Sequence, residues 1–363
     1  MRRALAACCL ALALLPAAAQ ARARWDTQIL GLMPRPGFPA MAYVAANGNV
    51  YEGTYDNPQG DTMPSRALEY GGDGTLLRSW TVLGQSLDKA HGVQVATSDA
   101  HGRLVLLDKN PPRALLLDPR TGAQTTIASF PAGAVPNYAA WGPDGSLYVS
   151  DYIEPIMWRI PPGGGAPVQW LRDPLLDGGG QFGATAVNLG ADHRTLYVGM
   201  QSGAGLGGGN PASGRILTTQ IGADGKPGPV KVFWESNPFD GPDGFALAKS
   251  GNVYVALLVA NAIGVIGPDG VEKERFPSSS GGANGSAVPF DSPSSVRFDG
   301  TRIMVANQSY FTGDPTHQAI LDVETGEPGL PEFIPPSPAQ PKPKPHRRPK
   351  HHRPKKHRPK KHH

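Results

Sequence analysis

Along most of this chain, apolar and polar residues alternate in short runs, and the runs come in pairs joined by glycine-bearing turns. One pair is centred on residues 45–51, where Asn47-Gly48 precedes Val50-Tyr51. The figure returns at 99–105 (His101-Gly102), 143–149 (Asp144-Gly145), 191–198 (Asp192-His193), 249–255 (Ser250-Gly251) and 298–305 (Asp299-Gly300). Two alternating runs joined by Asn-Gly or Asp-Gly read as a β-hairpin, because those residues accept the positive φ that tight turns need. The apolar anchors Val50, Leu104, Leu147, Leu196, Val253 and Ile303 fall 43 to 57 residues apart. That is the length of a four-stranded propeller blade. A second hairpin follows within the repeat, as at 262–270, and no sustained helical period follows the N-terminal segment. The pattern predicts an all-β, six-bladed β-propeller over residues 24–334. A β-sandwich would need no such even spacing.

Composition sharpens this picture at both ends. The chain of 363 residues holds 46 Gly and 38 Pro, the glycines spread through the body as turn punctuation. Arg2 and Arg3, the apolar run 4–15 and the small residues Ala19-Gln20-Ala21 or Ala21-Arg22-Ala23 form a secretory signal over residues 1–23. Export to a secreted, periplasmic or cell-envelope location is expected, with no transmembrane segment in the mature chain. Both cysteines, Cys8 and Cys9, lie in that signal, so a disulfide, a thiolate zinc site and a cysteine nucleophile are excluded from the mature protein. The net charge of +4 sums two unlike parts. Residues 335–363 carry 11 Lys/Arg and no acid; without them and the two leader arginines, 21 bases face 30 acids. An acidic propeller with a disordered, Pro/Lys/Arg/His-rich tail is expected, because the tail offers no apolar side chains to bury. Such a tail suits an anionic cell-envelope polymer by counterion release and carries no specific nucleic-acid motif. The glycine-rich stretch 201–214 matches a dinucleotide fingerprint only superficially, since no βαβ unit surrounds it; it is expected to be a loop over one face.

In a propeller the innermost strands line a central channel, and the residues that begin them face its mouth. Those positions read Pro39-Ala40, Ala90-His91, Pro136-Asn137, Ala184-Thr185, Pro242-Asp243 and Pro293-Ser294. Five polar side chains, His91, Asn137, Thr185, Asp243 and Ser294, are thereby predicted to meet on one axis. The mouth is expected to be a polar site rather than an apolar plug.

Residues 242–256, beginning Pro242-Asp243-Gly244, resemble a blade of the gluconolactonase/regucalcin family. Pro136-Asn137-Tyr138 with Asp144-Gly145 and Tyr148-Val149-Ser150-Asp151 is similar to another, and Pro293-Ser294-Ser295 with Val305-Ala306-Asn307 to its closing blade. The resemblance runs from about Pro39 to Gly329 and implies a hydrolase of lactones or related esters carrying one Ca2+ on the channel axis. It makes Asp243 and Asn137 metal ligands, with Glu52 the acid nearest the place of the family's blade-one glutamate. Asp243 and His91 would carry acid–base chemistry, and Asn137, Thr185 and Ser294 would contact substrate. The blade-one lead-in lacks an acid, and Thr185 stands where the family has asparagine. A non-catalytic ligand- or protein-binding propeller, or a metal-free enzyme of the strictosidine-synthase kind, are the alternatives.

Overall fold

A computed structural model describes residues 21–55, 62–180 and 182–336. The signal's first twenty residues and the tail beyond Pro336 therefore lie outside the described residues. Within them, 24 strands form six antiparallel four-stranded sheets, with a single turn of 3-10 helix at Pro174–Leu176. The predicted six-bladed propeller is what the chain builds, and no helix among the described residues is long and apolar enough to cross a membrane.

Five sheets are consecutive in sequence; the sixth is not. Its inner three strands come from Pro293–Asp299, Arg302–Asn307 and Ala319–Glu324, and its outermost strand is the N-terminal segment Thr27–Leu32. The two ends of the chain thus zip together and close the ring, leaving no open blade face. Trp25 stacks on Phe276 of the neighbouring blade at 4.8 Å, and Arg24 pairs with Glu274 of that blade at 2.6 Å, which pins this strand in place.

The six inner strands are Phe38–Val44, Val93–Ser98, Pro136–Trp141, Ala184–Leu189, Pro242–Leu247 and Pro293–Asp299. Each slips in pairing register against the second strand of its blade within its first five residues. A bulge breaks strict alternation, so a second inward-facing position falls three residues after the first instead of two. The upper ring is Ala40, Gln94, Asn137, Thr185, Asp243 and Ser294. The lower ring, three residues on, is Tyr43, Thr97, Ala140, Asn188, Ala246 and Arg297. Between the rings the channel is filled: the buried Tyr138 hydroxyl donates to the Ser294 carbonyl at 3.3 Å. Gly244 makes room for it, because a Cβ there would lie against the Tyr138 hydroxyl and 2.7 Å from Ser295 Cα.

Candidate functional site

At the upper end of the channel lies a cleft of about 370 Å³. Ala40, Gln94, Asn137 and Asp243 of the upper ring form its floor. Its walls are aromatic: Tyr55 and Phe38 on one side, Tyr152 and Phe182 on another, Tyr310 and Phe311 on a third. Tyr152 and Phe182 meet edge to face at 6.5 Å, as do Tyr310 and Phe311 at 5.3 Å. Lys109 brings a cation to the rim, 4.9 Å over the Tyr55 ring. Among the described residues that line the cleft, Asp243 is the single acid.

Asp243 sits on the inner strand of blade five. Its position, two residues after Gly241, which turns at φ 60°, aims it at the axis. It is buried, and burial holds its carboxyl well above the ordinary carboxylate range; hydrogen bonds from Thr185 and Gln201 oppose that shift without overcoming it. Gln201 is itself oriented by the Tyr152 hydroxyl, which donates to Gln201 Oε1 at 2.7 Å. Tyr152, Gln201 and Asp243 therefore form one polar chain running inward from the rim. Burial, with the Asp243 charge added, pushes the Tyr152 hydroxyl up, so it stays a donor. On the facing side, Gln94 Nε2 donates to Asn137 Oδ1 at 2.5 Å, which leaves the Asn137 amide nitrogen as its donating end. Gln94 Oε1 is buried with no protein partner.

Each residue singled out from the sequence can now be placed. Asn137 and Asp243 both line the cleft. Thr185 and Ser294 belong to the same ring but serve its walls: Thr185 Oγ1 donates to the Asp243 carbonyl at 3.3 Å, and Ser294 Oγ to the Ala40 carbonyl at 2.8 Å. His91 does not line the cleft. Its ring nitrogens face the carbonyls of Met63 at 2.9 Å and Lys89 at 3.4 Å. Strand pairing corrects the blade-two position to Gln94: Val93 opposes Asp108 as Pro136 opposes Asp151 and Pro293 opposes Asn307. The Pro-x pattern that marks blades three, five and six is absent from blade two, so nothing local disclosed the three-residue offset. Gln201, Tyr152 and Lys109 were also missed; they belong to loops and second strands that only the closed ring brings over the channel.

Glu52 is buried in the wall of blade one, outside the cleft lining. Its Oε1 accepts the backbone N–H groups of Ala40, Met41 and Gly53 at 3.1, 2.8 and 3.1 Å, bridging the bulge. Its Oε2 has no protein partner, and burial pushes the carboxyl up to about 8. In the other blades this position holds Leu106, Val149, Val198, Val255 and Val305. The donor set fits calcium poorly. A calcium site gathers roughly six to eight oxygens and several negative charges, whereas the cleft offers Asp243 with neutral amides. Among the described residues no three His, Cys, Asp or Glu side chains gather into a metal-binding group.

A scan against protein-family models finds no match for this chain, and neither does a search of curated protein sequences. Solved structures are similar in fold. A calcium-binding protein, regucalcin, from Agrobacterium tumefaciens superposes with a TM-score of 0.60 at 15% identity, over 85% of this chain and 96% of its own. A gluconolactonase from Xanthomonas campestris gives 0.57 at 16% identity, over 85% and 91%. A virginiamycin B lyase from Staphylococcus aureus gives 0.52 at 14%, over 82% and 99%. At these identities the likeness shows the fold, which carries lactonases and a lyase alike.

Proposed function

We propose that the cleft above Asp243 binds a neutral small molecule with an apolar body and a cyclic or linear ester group, and hydrolyses it without a resident metal. One observation carries this reading: a single buried carboxyl, held above the ordinary carboxylate range, on the floor of a cleft lined mainly by amides, apolar side chains and aromatic rings, with Lys109 at its rim. Aromatic walls favour an apolar ligand body, and a floor of donors suits its carbonyl oxygen. The similarity to gluconolactonases adds support at the level of the scaffold.

In this mechanism the Asn137 amide nitrogen donates to the ester carbonyl, stabilising the negative charge that develops on its oxygen. A water adds to the acyl carbon while ionised Asp243 accepts its proton; the acyl C–O bond then breaks and Asp243 returns that proton to the leaving oxygen. Gln201, held by Tyr152, keeps the Asp243 carboxyl facing the axis. Because burial raises the Asp243 pKa, the rate should climb with pH through a range above that of an ordinary carboxylate. The leader-like N-terminal segment supports export of this chemistry across the cytoplasmic membrane, and the basic tail supports anchoring to an anionic envelope polymer.

The test is a panel of neutral aliphatic and aryl lactones and esters, followed by acid release. Turnover that falls about a hundredfold or more in Asp243→Asn, with the fold intact, supports the proposal. Saturable binding without turnover, lost in Asp243→Asn and Asn137→Ala, would make the protein a non-catalytic ligand-binding propeller instead.

A further inference from the structure

The other end of the channel holds a second cavity, of about 510 Å³, that the reaction does not use. Its ceiling is the lower ring: Tyr43, Ala140, Asn188, Ala246 and Arg297 all line it. Tyr138 and the packed inner strands separate it from the upper cleft. Its floor is the C-terminal segment. After blade six the chain turns back under the propeller, the Gly329 N–H donating to the Gly300 carbonyl and the Leu330 N–H to the Leu247 carbonyl. Phe333 then packs against the His193 ring at 4.5 Å.

Arg297 is the unusual member. It is 7% exposed, and it is the lone cation of the lower ring. Its Nη1 donates to Asn188 Oδ1 at 3.0 Å and to the Phe245 carbonyl at 3.3 Å. Its Nε and Nη2 are buried with no protein partner. Those two atoms share the edge of the guanidinium whose parallel N–H groups match the two oxygens of a carboxylate. Leaving that edge unpaired in a buried site is costly, and an anion that fits it recovers the cost. Glu332 on the C-terminal segment lines the same cavity; burial holds its carboxyl above the ordinary range against the Arg297 charge and a hydrogen bond with Thr97, and it forms no ion pair with Arg297.

We propose that this lower cavity is a carboxylate-binding site, in which the Nε–Nη2 edge of Arg297 receives a small organic monocarboxylate whose apolar body lies against Trp141 and Phe333. Exposed Lys249 and half-buried Asp299 also line the cavity and offset each other, so the one buried guanidinium sets the charge of the site and favours a monocarboxylate over a phosphate dianion. The surrounding Leu189, Leu247 and Phe298 suit an apolar body. Glu332, a carboxyl lining the same cavity, repels a bound carboxylate when ionised and so weakens the site.

Titration of the full chain with benzoate, read by calorimetry and by the arginine Nε–H resonances, tests this. Benzoate should bind the wild type, shift one arginine Nε–H signal, and be displaced poorly by inorganic phosphate. Arg297→Gln and Arg297→Lys should each weaken binding about tenfold or more, since lysine keeps the charge and loses the fork. Glu332→Gln should tighten it, and Asp243→Asn should leave it unchanged. Unaltered affinity in both Arg297 variants would overturn the proposal, as would no binding or arginine shift at 10 mM benzoate, a concentration of about the weakest useful affinity. Binding by Glu332→Gln alone would show that the chain's own carboxylate fills the fork, and would equally overturn it.

Discussion

Replacing Glu52 with glutamine probes how firmly the blade-one wall keeps its carboxyl neutral. Glu52 is fully buried, three backbone N–H groups reach one of its oxygens, and its folded pKa is about 8 against 4.5 for the free side chain. In this situation the unfolded chain releases the proton first. Below the unfolded pKa both states hold the proton and the carboxyl is neutral to stability. Between the two pKa values only the unfolded state is ionised, so native stability falls as pH rises, and the loss levels off above about 8. At roughly 1.4 kcal/mol per pH unit, the contribution between pH 5 and pH 7 is a loss of about 2.5 kcal/mol. Glutamine titrates in neither state. The difference in unfolding free energy, Glu52→Gln minus wild type, should therefore grow by about 2.5 kcal/mol across that window, whatever its starting value. Urea unfolding of both proteins at half-unit pH steps measures it, and the subtraction cancels the other titrating groups. A difference constant to within about 0.5 kcal/mol would refute the argument, because it would mean that Glu52 is ionised in the folded protein.

Three further outcomes follow from the same structure. Millimolar calcium or EDTA should leave the melting temperature unchanged, because Asp243 stands alone as an anionic donor; a rise that grows with calcium concentration would restore a cation to the axis. Gly244→Ala should cost about 2 kcal/mol or more in unfolding free energy, since its new methyl group meets the Tyr138 hydroxyl and the Ser295 backbone. Tyr138→Phe in the same chain should recover part of that loss, and no recovery would mean that the backbone contact dominates. Starting the chain at Met33 removes the outer strand of blade six together with the Trp25–Phe276 stack. Such a protein should melt at lower temperature and aggregate through the uncovered edge; an unchanged melt would show that ring closure contributes little.

The fold was legible from the sequence because its signals are local. Alternation with a period of two, glycine turns at regular spacing and six similar units each follow from the neighbours of a residue, and together they leave few architectures other than a six-bladed ring. Asn137 and Asp243 were legible for the same reason: each sits behind a proline that starts an inner strand. The rest depended on register. Whether blade two offers His91 or Gln94 to the axis is decided by which residue opposes Asp108, and that pairing is a property of two strands. The bulge that places Arg297 three residues after Ser294 on the same channel wall leaves no mark in composition. Glu52 looked like a metal ligand by proximity along the chain, yet the bulge amides of Ala40 and Met41 draw its carboxyl into the wall. Nor does any residue pattern announce that the segment after blade six folds under the propeller and covers the lower mouth. Alternation and turn chemistry act within a few residues, whereas burial, pairing register and the meeting of distant side chains exist only once the ring has closed.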